Sequence, residues 1–354
     1  MGTRRDMVDC IIVGGGLIGM LSARELKKQG MEVLLLEKGE LGKESSWAGG
    51  GILSPLHPWR YSDEVNELAS IGHKIYPQIA QELHEESGID PEYLRSGLLV
   101  LGSQEQQLAI DWAADWSMNL SPIEDKADLQ QICPGLSSHY SAGLYMPDVA
   151  QMRNPRLVRS ARGSLDALGI NYQEHAQVTS LLVENGKAKG VLVNGKERYA
   201  NTVLVAGGAW SAKLLEAYQG TPDIHPVKGQ MILFKGVKNK LKRILLAGNR
   251  YLIPRKDGRI LCGSTLEHTG FEKNISNQVK QELMESAIDI FPELVDMEVE
   301  HHWAGLRPGS PNGDPYIGQQ KEIEGLYINS GQYRNGVILG IASAQRIAEI
   351  IINN

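Results

Sequence analysis

The chain has 354 residues, 42% of them hydrophobic, with 36 basic and 42 acidic side chains and a formal net charge of −6. That length suggests about two domains with sizeable cores. The acidic balance offers no basic field for nucleic acid, and no apolar run approaches the ~20 residues that span a bilayer. Cys10, Cys133 and Cys262 lack CxxC spacing, which argues against a zinc site or disulfide framework and for a reducing, cytoplasmic compartment. Arg4 and Arg5 resemble the start of an export signal, but the apolar run after them breaks at Gly14 with no small-residue cleavage site.

The first elements carry the strongest signal. Cys10 to Val13 reads as a buried strand, Gly14-Gly15-Gly16-Leu17-Ile18-Gly19 as a turn opening a helix to Gln29, and Glu32 to Leu36 as a second strand ending at Glu37. This is the order of a dinucleotide-binding unit. Gly14 allows the tight turn, Gly16 lets the backbone approach a pyrophosphate, and Gly19 lets the helix pack close to the strand. The Leu17 and Ile18 amides face the phosphates at the positive helix end. Glu37 sits near the ~20-residue offset of an acid that holds a ribose hydroxyl, and its charge disfavours NADP.

Asp63 to about Glu86 is helical by its spacing, Leu98 to Leu101 is a strand, and Glu105 to Met118 is helical, with Trp112 and Trp116 on one packed face. A polar, loop-rich stretch follows to Ser141. Asn154-Pro155 predicts a capped helix start running to Leu168. Gln177 to Val183 and Gly190 to Val193, parted by Asn185-Gly186, read as a hairpin. The buried strand from Asn201 ends in Gly207-Gly208, where backbone can again lie close to a ligand. Antiparallel strands are expected over 230–234, 250–254 and 260–264, then a helix from Ser276 to Phe291. Leu326 to Asn329 is a strand, Gly331 to Gly336 a glycine-flanked turn, and Val337 to Ile351 a helix. The expected fold is α/β: a Rossmann-like dinucleotide-binding domain over 1–85, 145–220 and 300–354, and a substrate domain over 86–144 and 221–299. The second domain is expected to hold a mainly antiparallel sheet flanked by helices.

With Val205-Ala206-Gly207-Gly208-Ala209-Trp210-Ser211 and Trp303-Ala304-Gly305-Leu306-Arg307-Pro308, the chain resembles the D-amino acid oxidase family of FAD proteins over nearly its whole length. Tyr251-Leu252-Ile253-Pro254-Arg255 and Gly331-Gln332-Tyr333-Arg334-Asn335-Gly336 look most like its glycine oxidase branch, that of bacterial thiamine biosynthesis. The resemblance implies noncovalent FAD, since Cys262 is not where flavin is attached in sarcosine-oxidising relatives. It implies that Glu37 and Lys38 lie at the adenosine ribose, and that Ser45, Ser46, Gly50, Gly51 and Ile52 line the pyrophosphate and flavin. Val178 would meet the adenine edge, and Gln332, Tyr333, Arg334, Asn335, Gly336, Val337 and Ile338 would wrap the flavin pyrimidine end. A helix starting near Gly336 would place positive partial charge there. Ser45-Ser46 also reads as a simple cap and Val178 as a core strand residue. The chain departs from relatives at Trp47-Ala48-Gly49-Gly50-Gly51, where alanines are common, at Asn249 in place of histidine and at Leu266 in place of methionine.

For oxidation of an amino acid, Arg307 is the candidate carboxylate clamp, with the planar fork that binds a carboxylate through two parallel bonds. Tyr251 would donate to the same carboxylate, and Arg334 would add a second positive charge. The alternatives are an interdomain salt bridge, a core tyrosine and a surface arginine. No protein base is needed, because desolvation and positive charge both favour the neutral amine. The implied activity is FAD-dependent oxidative deamination of glycine, or of sarcosine or a small D-amino acid, to imine and glyoxylate, ammonia and hydrogen peroxide. Its partners are the small amine, dioxygen and a thiazole-synthesis enzyme, with a homo-oligomer left open. The alternatives are a dehydrogenase, a sarcosine oxidase-like relative or a non-catalytic flavin-binding protein. His301-His302 lacks metal-ligand spacing, and no metal site is expected.

Overall fold

The structure is a computed structural model that describes residues 7–102 and 104–354. Arg4 and Arg5, with the export signal considered for them, lie outside the described residues.

Two eight-stranded sheets organise the chain. Val8–Val13 sits in the middle of the first, parallel to Val33–Leu36 on one side and to Lys196–Val205 on the other. Leu326–Ser330 continues the parallel order, with Asn171–Gln173 and Tyr316–Gln319 at the edges. The run Cys10 to Val13 is buried throughout because both faces are covered. Ile12, Leu35 and Leu204 pack on one face with helices Leu17–Lys28, Asp63–Ser87, Asn154–Ala167 and Gly340–Ile352. Ile11, Val13, Leu36, Val203 and Val205 point the other way, against the hairpin Val178–Glu184 and Lys187–Val193. This is the period of two that a strand imposes. Asn185 and Gly186, at φ 51° and 72°, close the hairpin. Ser62 caps the long helix by accepting from Val65 N at 3.3 Å, and Gly88 ends it at φ 71°.

The second sheet runs Val299–Gly309, His225–Phe234, Ile260–Gly263, Arg250–Pro254, Ile244–Ala247, Leu98–Leu101, Gly143–Met146, Ser121–Ile123. Neighbours are antiparallel except Leu98–Leu101 with Ile244–Ala247. Helix Asn277–Ile290, capped by Ser276, buries Leu283, Ala287 and Ile290 on one face. Helix Gln106–Asp115 packs Trp112, with Trp116 beside it, on the other.

Several expectations change in detail. The stretch to Ser141 is not all loop: it holds strand Ser121–Ile123 and helix Lys126–Ile132, whose cap Asp125 accepts from Ala127 N at 2.7 Å. Ile244–Ala247 is an additional strand. The helix over 105–118 spans only Gln106–Asp115. The C-terminal helix is regular only from Gly340, although Leu339 N already donates to Asn335 O. The expected domain switches at 145 and 300 fall inside strands Gly143–Met146 and Val299–Gly309. Both strands belong to the second sheet, held by ladders to Leu98–Leu101 and His225–Phe234. Among the described residues, no helix is long and apolar enough to cross a membrane.

Candidate active site

A cavity of about 530 Å³ is walled by both sheets and reached by the Gly14–Gly19 and Gly331–Gly336 turns. Its first wall is the Gly14–Gly19 turn. Gly14 has φ 113°, and a side chain there would overlap the Ala206 carbonyl; one at Gly19 would overlap the Gly14 carbonyl. The sequence therefore brings strand, turn and helix to backbone contact, with the N-terminus of Leu17–Lys28 opening on the cavity. That terminus has no cap of its own. Ser46 supplies one from across the cavity, its Oγ accepting from Leu17 N at 2.8 Å.

Glu37 is 8% exposed and accepts from Gly15 N at 2.7 Å and Gly39 N at 2.9 Å. A carboxylate has about four lone-pair sites, so acceptor capacity remains for a ribose. Beside it, Lys38 Nζ lies 3.1 Å from the centre of the Trp210 ring, which stacks on Phe271. Burial pushes the Lys38 ammonium below its ordinary value, against the pull of Glu44 and Glu37.

The second wall is Ser45–Ile52. Gly51 has φ 77°, and a side chain on it would overlap the Met152 carbonyl. Arg255 holds this wall from behind, donating to Gly50 O at 2.8 Å, Gln151 Oε1 at 2.8 Å and Met152 O at 3.1 Å. Burial brings its guanidinium down to about 10. Asn154 does not cap its helix. Its Nδ2 donates to Ser46 O at 2.7 Å, while its Oδ1 is buried without a partner among the described residues.

Arg307, Tyr251 and Arg334 line the same cavity. Arg307 Nη2 donates to Ser264 Oγ at 2.6 Å and Nη1 to Thr265 O at 3.2 Å. Burial lowers the guanidinium from its ordinary value; Tyr251 opposes the shift and Arg334 adds to it. An arginine remains charged regardless. Arg334 Nη2 is buried with no partner among the described residues. It follows Tyr333, at φ 46° in the left-handed region. Tyr251 is buried, its ring packed on Gly50 and Gly263, where a side chain would lie 3.3 Å and 2.8 Å from Cε2. Tyr61 stands close to Arg334: burial raises its phenol and Arg334 pulls it back.

Most of the residues expected to bind the cofactor therefore meet at one cavity: Gly14, Gly16, Leu17, Ile18, Glu37, Lys38, Ser45, Ser46, Gly50, Gly51, Ile52, Val178, Gly207, Gln332, Tyr333, Arg334, Gly336 and Val337. Gly19, Asn335 and Ile338 do not line it. Gly19 packs on the turn, and Ile338 is fully buried in the helix core. Asn335 is buried with both amide atoms unpartnered among the described residues. Asn154, Trp210, Gly229 and Ser264 also line the cavity, and none was expected to. Asn154 carried a signal, but it read as a helix cap. The exposed Asn249 and Leu266 do not line it.

Residues 9–350 match the FAD dependent oxidoreductase family, DAO. The chain is 45% identical to a glycine oxidase of Pseudomonas aeruginosa over 96% of this chain and 94% of that one. It is 30% identical to the bifunctional protein ThiO/ThiG of Trichormus variabilis over 97% of this chain but 52% of that one. A solved glycine oxidase from Bacillus cereus superposes with a TM-score of 0.89 at 30% identity, covering 98% and 97% of the two chains. The chain belongs to the DAO family of FAD-dependent oxidoreductases.

Proposed function

We propose that this chain is a glycine oxidase that binds FAD noncovalently and deaminates glycine to glyoxylate and ammonia with formation of hydrogen peroxide. The observation that carries the reading is that Arg307 and the unpartnered Nη2 of Arg334 share one cavity with the Gly14–Gly19 turn and Glu37. One group can thus be held by its phosphates while a small carboxylate meets two cations beside it. The similarity to glycine oxidases supports the choice of substrate.

The residues fit FAD. The volume lies within the ~300–1,000 Å³ of ligand sites, the helix N-terminus suits a pyrophosphate, and the cavity-lining Oδ1 of Asn154, without a partner among the described residues, is a polar atom still to be satisfied. Cys10, Cys133 and Cys262 are free and buried, and none lines the cavity, which supports noncovalent retention. FAD, when bound, would supply the hydride acceptor and the route by which the electron pair reaches dioxygen.

The protein's part is placement. Arg307 orients the carboxylate through its two-pronged donor face, with the Tyr251 hydroxyl available to the same group. Arg334 adds positive charge that, together with exclusion of water, disfavours the substrate ammonium and delivers the neutral amine. Loss of hydride from the α-carbon leaves the imine, which takes up water and releases ammonia. The resemblance, together with the match to about half of a ThiO/ThiG chain, supports transfer of the imine to a thiazole-forming enzyme in the cytoplasm. We also assign two domains, and the pairing of 143–146 and 299–309 within the second sheet supports including both segments in the substrate unit.

The test is an anaerobic titration of the purified protein with glycine, sarcosine and D-alanine, followed by air. Bleaching of the flavin band by glycine and its recovery in air with peroxide is the expected result. Bleaching without recovery would make it a dehydrogenase, and no bleaching by any of the three would overturn the glycine reading, leaving a flavoprotein of unassigned substrate and reviving the non-catalytic alternative. Acid precipitation should release the chromophore; colour kept in the pellet would overturn noncovalent binding.

A further inference from the structure

Arg307 rests on a built seat. Its strand, Val299–Gly309, pairs with His225–Phe234, and the guanidinium fills the space that a side chain on Gly229 would take. A Cβ on Gly229 would stand 2.5 Å from Cζ and closer still to both Nη atoms. The backbone of Gly229 does not need a glycine for its dihedral angles, since its φ is not in the left-handed region. What excludes a side chain there is the arginine.

The residues on either side of Gly229 point to the opposite face of the strand and build the rest of the seat. Lys228, 6% exposed, pairs with Glu267 at 2.8 Å, and Gln230 Nε2 donates to the same carboxylate at 2.9 Å. Glu267 in turn accepts from Thr265 Oγ1 at 2.5 Å, while Thr265 Oγ1 accepts from Gln230 N at 2.8 Å. Thr265 and its neighbour Ser264 offer the two acceptors that hold the Arg307 fork. Burial alone would raise the Glu267 carboxyl, but bonds from Lys228, Thr265 and Gln230 together keep it below the usual carboxylate range. The array is a charged brace inside the sheet, ending at the guanidinium.

We propose that Gly229 and the Lys228–Glu267–Thr265 array are positioning elements that set the depth and orientation of Arg307, and thereby the fit of the cavity to its substrate carboxylate. None of the array needs to touch substrate. Gly229 lets the guanidinium recede by the width of a missing methyl group, and Glu267 locks the segment whose carbonyl and hydroxyl aim it. The inference rests on Arg307 as the carboxylate clamp.

The experiment titrates oxidised holoenzyme with acetate, followed by flavin absorbance, and measures KM and kcat for glycine. It compares the wild type with Gly229→Ala, Glu267→Gln and Arg307→Ala. Gly229→Ala should raise the acetate Kd and the glycine KM by about ten- to a hundredfold through displacement of the fork, with a smaller change in kcat and FAD content retained. Glu267→Gln should shift the same two constants in the same direction by about three- to tenfold, the size of one weakened hydrogen bond. If Gly229→Ala does not fold, Glu267→Gln decides. Acetate binding at wild-type strength in both seat variants, with Arg307→Ala impaired, overturns the seat and leaves the clamp standing. Wild-type acetate binding by Arg307→Ala removes the clamp and the seat with it.

Discussion

The two ends of the cavity are built on different principles. At the Glu37 end, the contacts are between backbone and side chain, and the residues are close in sequence: Glu37 with Gly15 and Gly39, Ser46 with Leu17. At the Arg307 end, side chains from separate strands and a late turn converge, and Arg307 is held by residues some forty positions earlier. The first end depends on glycines having no side chain, because carbonyls occupy the space a Cβ would need. The second depends on long polar side chains being present and aimed. One end is a matter of clearance and the other of direction.

That contrast can be broken by substitution, starting with the largest effect. Arg307→Ala removes a fork whose charge-assisted bonds are each worth about 1.5–3 kcal/mol, so kcat/KM for glycine should fall by at least about a hundredfold. Arg307→Lys should recover only part of it, because lysine lacks the planar fork. Unchanged steady-state kinetics would dissolve the distinction between the ends. At the clearance end, Gly19→Ala forces a methyl against the Gly14 carbonyl and should cost about 1–3 kcal/mol of stability, with FAD lost on gel filtration. A melting temperature and FAD content equal to wild type would show that the turn has slack.

Glu37→Ala sharpens the comparison further. It takes a ribose acceptor from the cofactor and leaves the buried Gly15 amide without its partner, a penalty of about 1–3 kcal/mol. The FAD Kd should rise about tenfold or more, and an unchanged Kd would restrict Glu37 to holding the turn. Tyr251→Phe removes one hydroxyl, and glycine KM should rise about two- to tenfold, the range of a single net hydrogen bond. The smallest effect is with pH. A carboxylate held below its ordinary value contributes above the unfolded pKa and is lost as pH falls through the folded one. Through Glu267, then, the advantage in acetate affinity of wild type over Glu267→Gln, in which the protonation of acetate itself cancels, should hold from neutral pH down to about 4.3 and shrink only below it. A loss beginning near neutrality would point to another group.

The same contrast explains what the sequence disclosed. The clearance end was legible because its logic is local: spaced glycines, a strand before, a helix and an acid after, all within forty residues. The fold class and the two sheets followed from apolar runs of the right period. Helix Lys126–Ile132 was hidden by its polar surface, although Asp125 supplies an ordinary cap. Asn154 obeyed the rule for a helix start and yet spends its amide on Ser46, because a site some hundred residues away needs it more. The seat of Arg307 was out of reach for a related reason. Gly229 sits in a strand with no turn signal, and its partner is 78 positions away, so only the folded register brings them together.

The order of the first sheet has a consequence for biogenesis. Val8–Val13 finds one neighbour early, in Val33–Leu36, but its other edge waits for Lys196–Val205, and that strand waits for Leu326–Ser330. As the chain leaves the ribosome, its opening strand, turn and helix emerge with an unpaired edge, and Gly14 lacks the Ala206 backbone it finally rests on. The wall from Gln332 to Val337 is made long after the Gly14–Gly19 turn it faces across the cavity. The cavity is therefore complete only after both of these segments have been made. A product terminated before Lys196 carries an open, apolar sheet margin suited to aggregation or chaperone capture.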